Sequence, residues 1–236
     1  MKRILSFFFL LCSISILPAL AADKHSEAVF NLFVYNNTNQ LSANGYGFFI
    51  GTDGTAVAPY TLFKDARYAE VIDAKGKRFK VTRILGANSL NGLVKFAIDA
   101  KSTTALPIAK APITEGALTK LVRYSTDKNG SIAMVKIEKA ADYDSLKYYD
   151  LNADNSEKNF GCPLLNNQGE VVGIVQKNVT KNATKACALD ARFINRLGIN
   201  ALSALNTDLL SIGIPKALPA KQEDALTYIF MLNNAD

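Results

Sequence analysis

Few side chains in this 236-residue chain could carry covalent or metal chemistry. It has one histidine, His25, and three cysteines, Cys12, Cys162 and Cys187. A thiol attacks only as the thiolate, which needs a neighbouring base or a depressed pKa. The only imidazole lies in an N-terminal stretch expected to fray, so pairing with Cys187 or simple packing is the favoured reading of Cys162. One histidine cannot build a metal site, and carboxylates such as Asp142 and Asp144 show no ligand spacing. No glycine-rich phosphate loop and no paired-carboxylate geometry stand out. The residue types therefore imply no metal and no cofactor.

The elements that would position any site read as strands. Between Val29 and Ile194, short runs with strand character are separated by turn signals every 8 to 12 residues, the pattern of a sandwich or barrel. The runs are 29–35, 46–50, 55–58, 70–73, 78–85, 93–98, 118–124, 131–137, 147–151, 162–165, 171–176 and 186–189. Twelve is the number that two six-stranded barrels require. Asp53-Gly54, Lys75-Gly76, Asn129-Gly130 and Gln168-Gly169 supply the left-handed residues of tight turns. A polar stretch ending in Pro107 separates the halves, which gives a first barrel over 28–101 and a second over 105–195. After Asp190 the apolar spacing lengthens to Ala191, Ile194 and Leu197, predicting a closing helix. Within the extension 196–236, Glu223 to Asn233 reads as an amphipathic helix with Leu226, Ile229, Phe230 and Met231 or Leu232 on its apolar side.

Residues 1–21 have the form of a secretory signal: basic Lys2 and Arg3, an apolar run, then Ala19-Leu20-Ala21. The run is about 14 residues, short of the ~20 a membrane-spanning helix needs. Export to the periplasm or the extracellular space, with no integral membrane anchor after cleavage, is the expectation. Without Lys2 and Arg3 the chain has 27 − 2 = 25 basic and 21 acidic residues, a net +4 with mixed signs. That is no clustered basic footprint for nucleic acid. Cys162 and Cys187 then remain as an even pair in an exported chain, suggesting one disulfide across about 25 residues; two buried thiols is the alternative.

Three stretches resemble a known family. Gly45-Tyr-Gly-Phe-Phe-Ile, Asp53-Gly54 and the run to Thr61 resemble the strand-turn-strand that delivers the catalytic histidine in trypsin-like proteases of the high-temperature-requirement type. Asn88 to Ile98 is similar to the segment around that family's aspartate. Asn159-Phe160-Gly161-Cys162-Pro163-Leu164, followed by Gly169-Glu-Val-Val-Gly-Ile, is similar to the segment that carries the serine. The resemblance covers about 100 residues and implies an all-β fold, a trypsin-like double six-stranded β-barrel with C-terminal helices.

On this register Thr61 stands for the histidine, Gly92 for the aspartate and Phe160 for the serine. The order agrees with a Ser-His-Asp hydrolase on two barrels, yet all three groups are missing. The oxyanion hole implied by the family uses backbone amides at positions 158 and 160; Lys158 replaces a glycine there, which predicts a collapsed loop. Asp154 falls where an acidic specificity pocket would have its base, although a lone aspartate in a polar loop is ordinarily solvated. The expected function is that of a non-catalytic pseudoprotease binding a peptide or protein ligand, for instance by strand addition to a barrel edge. The alternatives are a hydrolase with a non-standard nucleophile, Cys162 or Thr61, and an assembly protein acting through its C-terminal helix.

Overall fold

The computed structural model describes residues 24–126, 131–143, 145–177 and 184–197. The signal segment, the Asn129-Gly130 turn and nearly all of the extension 196–236 lie outside these residues. Among the described residues twelve strands run in chain order as β1 Val29–Tyr35, β2 Leu41–Phe49, β3 Thr55–Pro59, β4 Tyr68–Ile72, β5 Arg78–Asn88 and β6 Leu93–Ile98, then β7 Leu118–Arg123, β8 Ser131–Tyr143, β9 Leu146–Asp154, β10 Pro163–Leu165, β11 Val171–Gln176 and β12 Lys185–Asp190.

Each half closes on itself as an antiparallel barrel, in the order β1-β2-β3-β6-β5-β4 and, equivalently, β7-β8-β9-β12-β11-β10. The two barrels thus share one connectivity although no internal repeat shows in the residues. Closure gives every strand two neighbours, which is how short strands of this kind limit the exposure of unpaired amides; only part of a strand, such as the start of β2, extends past its neighbour.

Strand periodicity divides the apolar residues into three cores. Phe30, Leu32, Val34, Phe49 and Phe96 fill the first barrel, and Leu121, Ile137, Tyr149, Leu151 and Leu164 fill the second. Alternate residues on the same strands face the other way, so Val29, Phe48, Val57 and Leu93 meet Val122, Leu165, Ile174 and Leu189 between the barrels. The interface is therefore as apolar as the interiors, and it fixes how loops from the two halves face each other.

One polar group is deeply buried beside this interface. The Asp190 carboxylate, 1% exposed, accepts from the Tyr149 hydroxyl at 2.6 Å and from the Arg192 guanidinium at 2.7 Å. It also accepts from the Arg192 backbone amide at 2.9 Å and so caps the turn that follows. The helix expected after Asp190 is a short 3₁₀ helix, Ala191–Arg196, whose Ala191, Phe193 and Ile194 join the interface core.

Two sequence-based expectations are corrected here. Cys162 and Cys187 are both buried free thiols and form no disulfide. The physical reason is alternation: Ala186 and Ala188 point with Cys162 into the second barrel, so Cys187 between them faces the inter-barrel core instead. His25 is not frayed. It sits in a 3₁₀ turn, Lys24–Ala28, with its ring over Gly169 in the β10–β11 connection, where an added Cβ would lie 2.3 Å from Nε2.

Candidate functional site

Three segments converge on one cleft of about 600 Å³. The first is the start of β2. From Leu41 to Gly47 this strand has a partner only on its β1 side, because its pairing with β3 begins at Phe48. The second is the 3₁₀ turn Tyr60–Phe63, entered from Pro59, which places Thr61 and Leu62 at the cleft wall. The third is the loop from Asn155 to Gly161 between β9 and β10, which contributes Glu157, Lys158 and Phe160, with Lys177 beyond the end of β11.

The fold brings near one another the three positions that the resemblance assigns to a triad. Thr61 and Phe160 line the same cleft, and the Gly92 carbonyl accepts the amide of Tyr60, Thr61's neighbour, at 2.8 Å. None of the three is the residue type that a Ser-His-Asp triad has at its position. Thr61 is an exposed hydroxyl with no imidazole beside it, since His25 lies at the Gly169 turn and is not among the cleft-lining residues. Gly92 has a left-handed backbone, φ +65°, and a Cβ there would meet only the side chain of Gln176, whose Oε1 is 3.5 Å away. Gln176 is buried, and its Nε2 has no hydrogen-bond partner among the described residues. Phe160 is 8% exposed, its ring joined to the core of the first barrel.

The loop that would supply an oxyanion hole is wound inward. Glu157–Asn159 form a single 3₁₀ turn capped by Ser156, whose Oγ accepts the Lys158 amide at 3.3 Å. The Phe160 amide donates to the Glu157 carbonyl at 3.2 Å. Both amides assigned to an oxyanion hole are engaged within the loop rather than aimed at a reacting carbonyl, where such donors must point to act. Lys158 avoids the left-handed conformation altogether; that role falls to Gly161, φ +83°. A Cβ on Gly161 would lie 2.0 Å from the Tyr46 carbonyl oxygen, so only glycine allows this approach to β2.

Residues that sequence reasoning did not single out hold the loop. Asn159, 3% exposed, accepts from the Arg123 guanidinium at 2.7 Å and donates to the Asp154 carbonyl at 3.1 Å. The Tyr46 amide donates to the Phe160 carbonyl at 3.3 Å, stitching the loop to the edge of β2, and its ring stacks on Tyr124. The burial of Asn159 and its bond to Arg123, 36 residues away, had no signal in the sequence. The Tyr46 contact had none either.

Asp154 is exposed and takes part through its backbone; its side chain is not among the groups lining the cleft. Cys162 is fully buried inside the second barrel, donates to the Lys158 carbonyl at 3.5 Å, and burial pushes its thiol up to about 12. That is the opposite of an activated nucleophile. Burial also raises the Tyr46 phenol. Lys177 pairs with Glu157 at 3.0 Å on the cleft rim, leaving Lys158 as the rim cation outside any ion pair among the described residues. Among the described residues no cluster of three or more His, Cys, Asp or Glu side chains could hold a metal.

The chain matches no family model and no curated protein. Among solved structures it is similar to a serine endoprotease from Yersinia pestis, with a TM-score of 0.62 at 18% identity, over 75% of this chain and 63% of that one. The fold is the trypsin-like double barrel. This chain spans less than two thirds of that neighbour's length, and an identity so low carries the architecture and nothing of the activity.

Proposed function

We propose that this is an exported, non-catalytic member of the trypsin-like peptidase fold that binds an extended peptide or protein segment in the cleft between β2 and the Asn155–Gly161 loop. The observation that carries the reading is the Phe160 ring, packed into the first barrel at the position where the resemblance places the nucleophile. It supports loss of chemistry with retention of shape: the attacking atom is gone, while the strands and turns around it stay closed. A serine hydroxyl needs an adjacent base to become reactive, and the cleft lining contains no histidine.

Binding has a physical basis of its own. A strand partnered on one side offers main-chain donors and acceptors on the other, and an incoming peptide pairs with them by strand addition. The Tyr46 amide already points from β2 toward the loop. By the alternation of an antiparallel strand, the amide of Asn44 faces the same way.

The test is to incubate the purified chain with unfolded casein and with a serine-reactive phosphonate, and to measure binding alongside cleavage. Retention of casein without cleavage or label is expected, weakened by Asn44→Pro, which removes one donor from the open edge. Cleavage or labelling that persists in Phe160→Ala would overturn the reading.

A further inference from the structure

Five large apolar side chains are exposed among the described residues, and three of them, Leu118, Ile132 and Met134, sit on the paired strands β7 and β8. The register sets Leu118 opposite Lys136, Lys120 opposite Met134 and Val122 opposite Ile132. Strand alternation puts all six on one face of the barrel wall, with Val122 covered in the inter-barrel core and the other five outside it. Leu118 and Met134 are each 57% exposed. Among the described residues neither Lys120 nor Lys136 is in an ion pair. The face is thus apolar and basic, with no acid among these positions, and it lies apart from the cleft lining.

The chain itself contains a complementary stretch. Residues 222–236 hold three acids, Glu223, Asp224 and Asp236, no lysine or arginine, and the apolar residues Leu226, Ile229, Phe230, Met231 and Leu232. We propose that residues 223–236 cover the Leu118–Ile132–Met134 face of the second barrel, with Glu223 and Asp224 set against Lys120 and Lys136. The connection from Leu197 is long enough. At ~3.3 Å per residue its 26 steps reach up to about 85 Å, against a width of about 40 Å for a body of this size. Tethering sets the effective concentration on the order of millimolar, so even weak complementarity gives an occupied face.

The experiment uses the full chain as purified from an exporting host, with the photoreactive p-benzoylphenylalanine in place of Met134, as an equal mixture of isotope-labelled and unlabelled protein. Irradiation is expected to cross-link position 134 to residues 223–236 of the same isotopic chain. Lys120→Glu with Lys136→Glu should lower that yield about fivefold, the worth of two exposed ion pairs. Adding Glu223→Lys with Asp224→Lys should restore it, and restoration excludes misfolding as the cause of the loss. The proposal is overturned by products that join labelled to unlabelled chains, by products outside residues 223–236, or by capture of lipid from anionic phosphatidylglycerol vesicles with no tail product in lipid-free buffer.

Discussion

The Phe160 amide donates to the Glu157 carbonyl at 3.2 Å. That bond turns toward its own loop a donor that an acyl-transfer enzyme of this fold would aim at its substrate, and the Lys158 amide is likewise held by Ser156. On the proposed reading the obstacle to acyl transfer lies in the backbone as well as in the side chains, so restoring the side chains should not suffice.

The combined substitution Thr61→His, Gly92→Asp and Phe160→Ser is expected to give no phosphonate labelling and no casein cleavage above background. A single missing oxyanion donor costs about 10²–10³ in kcat, and here two are turned away. Gly92 also has a left-handed φ that aspartate tolerates only with strain. Phosphonate labelling at position 160 in this variant would show that the loop rewinds easily and that its inward turn is not what blocks chemistry.

Phe160→Ala should cost about 3 kcal/mol of unfolding free energy. The ring is 8% exposed and packs with the first barrel's core, and large-to-small changes of this kind lose both transfer energy and packing around the void. Urea titration followed by circular dichroism reads this directly. A cost below about 1 kcal/mol would mean that the ring belongs to the cleft rather than to the core.

How much of this was legible beforehand follows from which forces were local. Strand existence came from alternation and turn glycines, and β1, β6 and β11 begin and end where the residues indicate. Strand β2 begins at Leu41 rather than Tyr46, because Leu41 to Asn44 carry no burial pattern and are held by pairing with β1 across the chain. The disulfide expectation failed for a geometric reason: an even cysteine count says nothing of which sheet face each thiol occupies. Thr61, Gly92 and Phe160 could be placed from motif spacing, but the Arg123–Asn159 bond joins residues 36 apart and has no local sign.

Gly161→Ala should be among the most damaging small substitutions in the chain. A Cβ 2.0 Å from the Tyr46 carbonyl oxygen cannot be accommodated without moving β2 away from the loop, and φ +83° adds strain for any side chain. We expect a loss of at least about 2 kcal/mol and weakened casein retention together, measured by melting and by pull-down. Unchanged values for both would mean that the two barrels' loops do not depend on this contact.

Tyr149→Phe tests the buried carboxylate. The hydroxyl donates to Asp190 at 2.6 Å inside a region where that acid is 1% exposed, and both burial and the bond to Asp190 hold the phenol well above its usual range. Removing a donor from a buried charged acceptor costs about 1.5–3 kcal/mol, although Arg192 still neutralises the carboxylate. The Asp190→Asn variant should cost less when combined with Tyr149→Phe than the two single losses summed. A double-mutant cycle by urea unfolding measures the coupling, and strict additivity would place the two groups in separate environments.

The cysteines give the fold an alkaline limit. Burial pushes both thiols from about 9 up to about 12, with the charge of Asp150 adding to the rise at Cys187. An acid whose folded pKa exceeds its unfolded value stays protonated in the native state after the unfolded chain has released its proton. The associated stability is therefore complete below about pH 9 and falls as pH rises from there toward 12. The unfolding free energy should be nearly level from about pH 7 to 8.5 in respect of these groups and decline above it. Cys162→Ala with Cys187→Ala should lower stability at neutral pH, through lost packing, yet flatten the slope between about pH 8.5 and 9.5, below the ordinary tyrosine midpoint of about 10. At pH 8 the native protein should leave Ellman's reagent unreduced, while the chain in guanidinium shows two reactive thiols with no prior reduction once the signal segment is removed. An unchanged alkaline slope in the double variant, or one disulfide's worth of missing thiol in the denatured chain, would contradict the placement of Cys162 and Cys187 on opposite faces of their sheet.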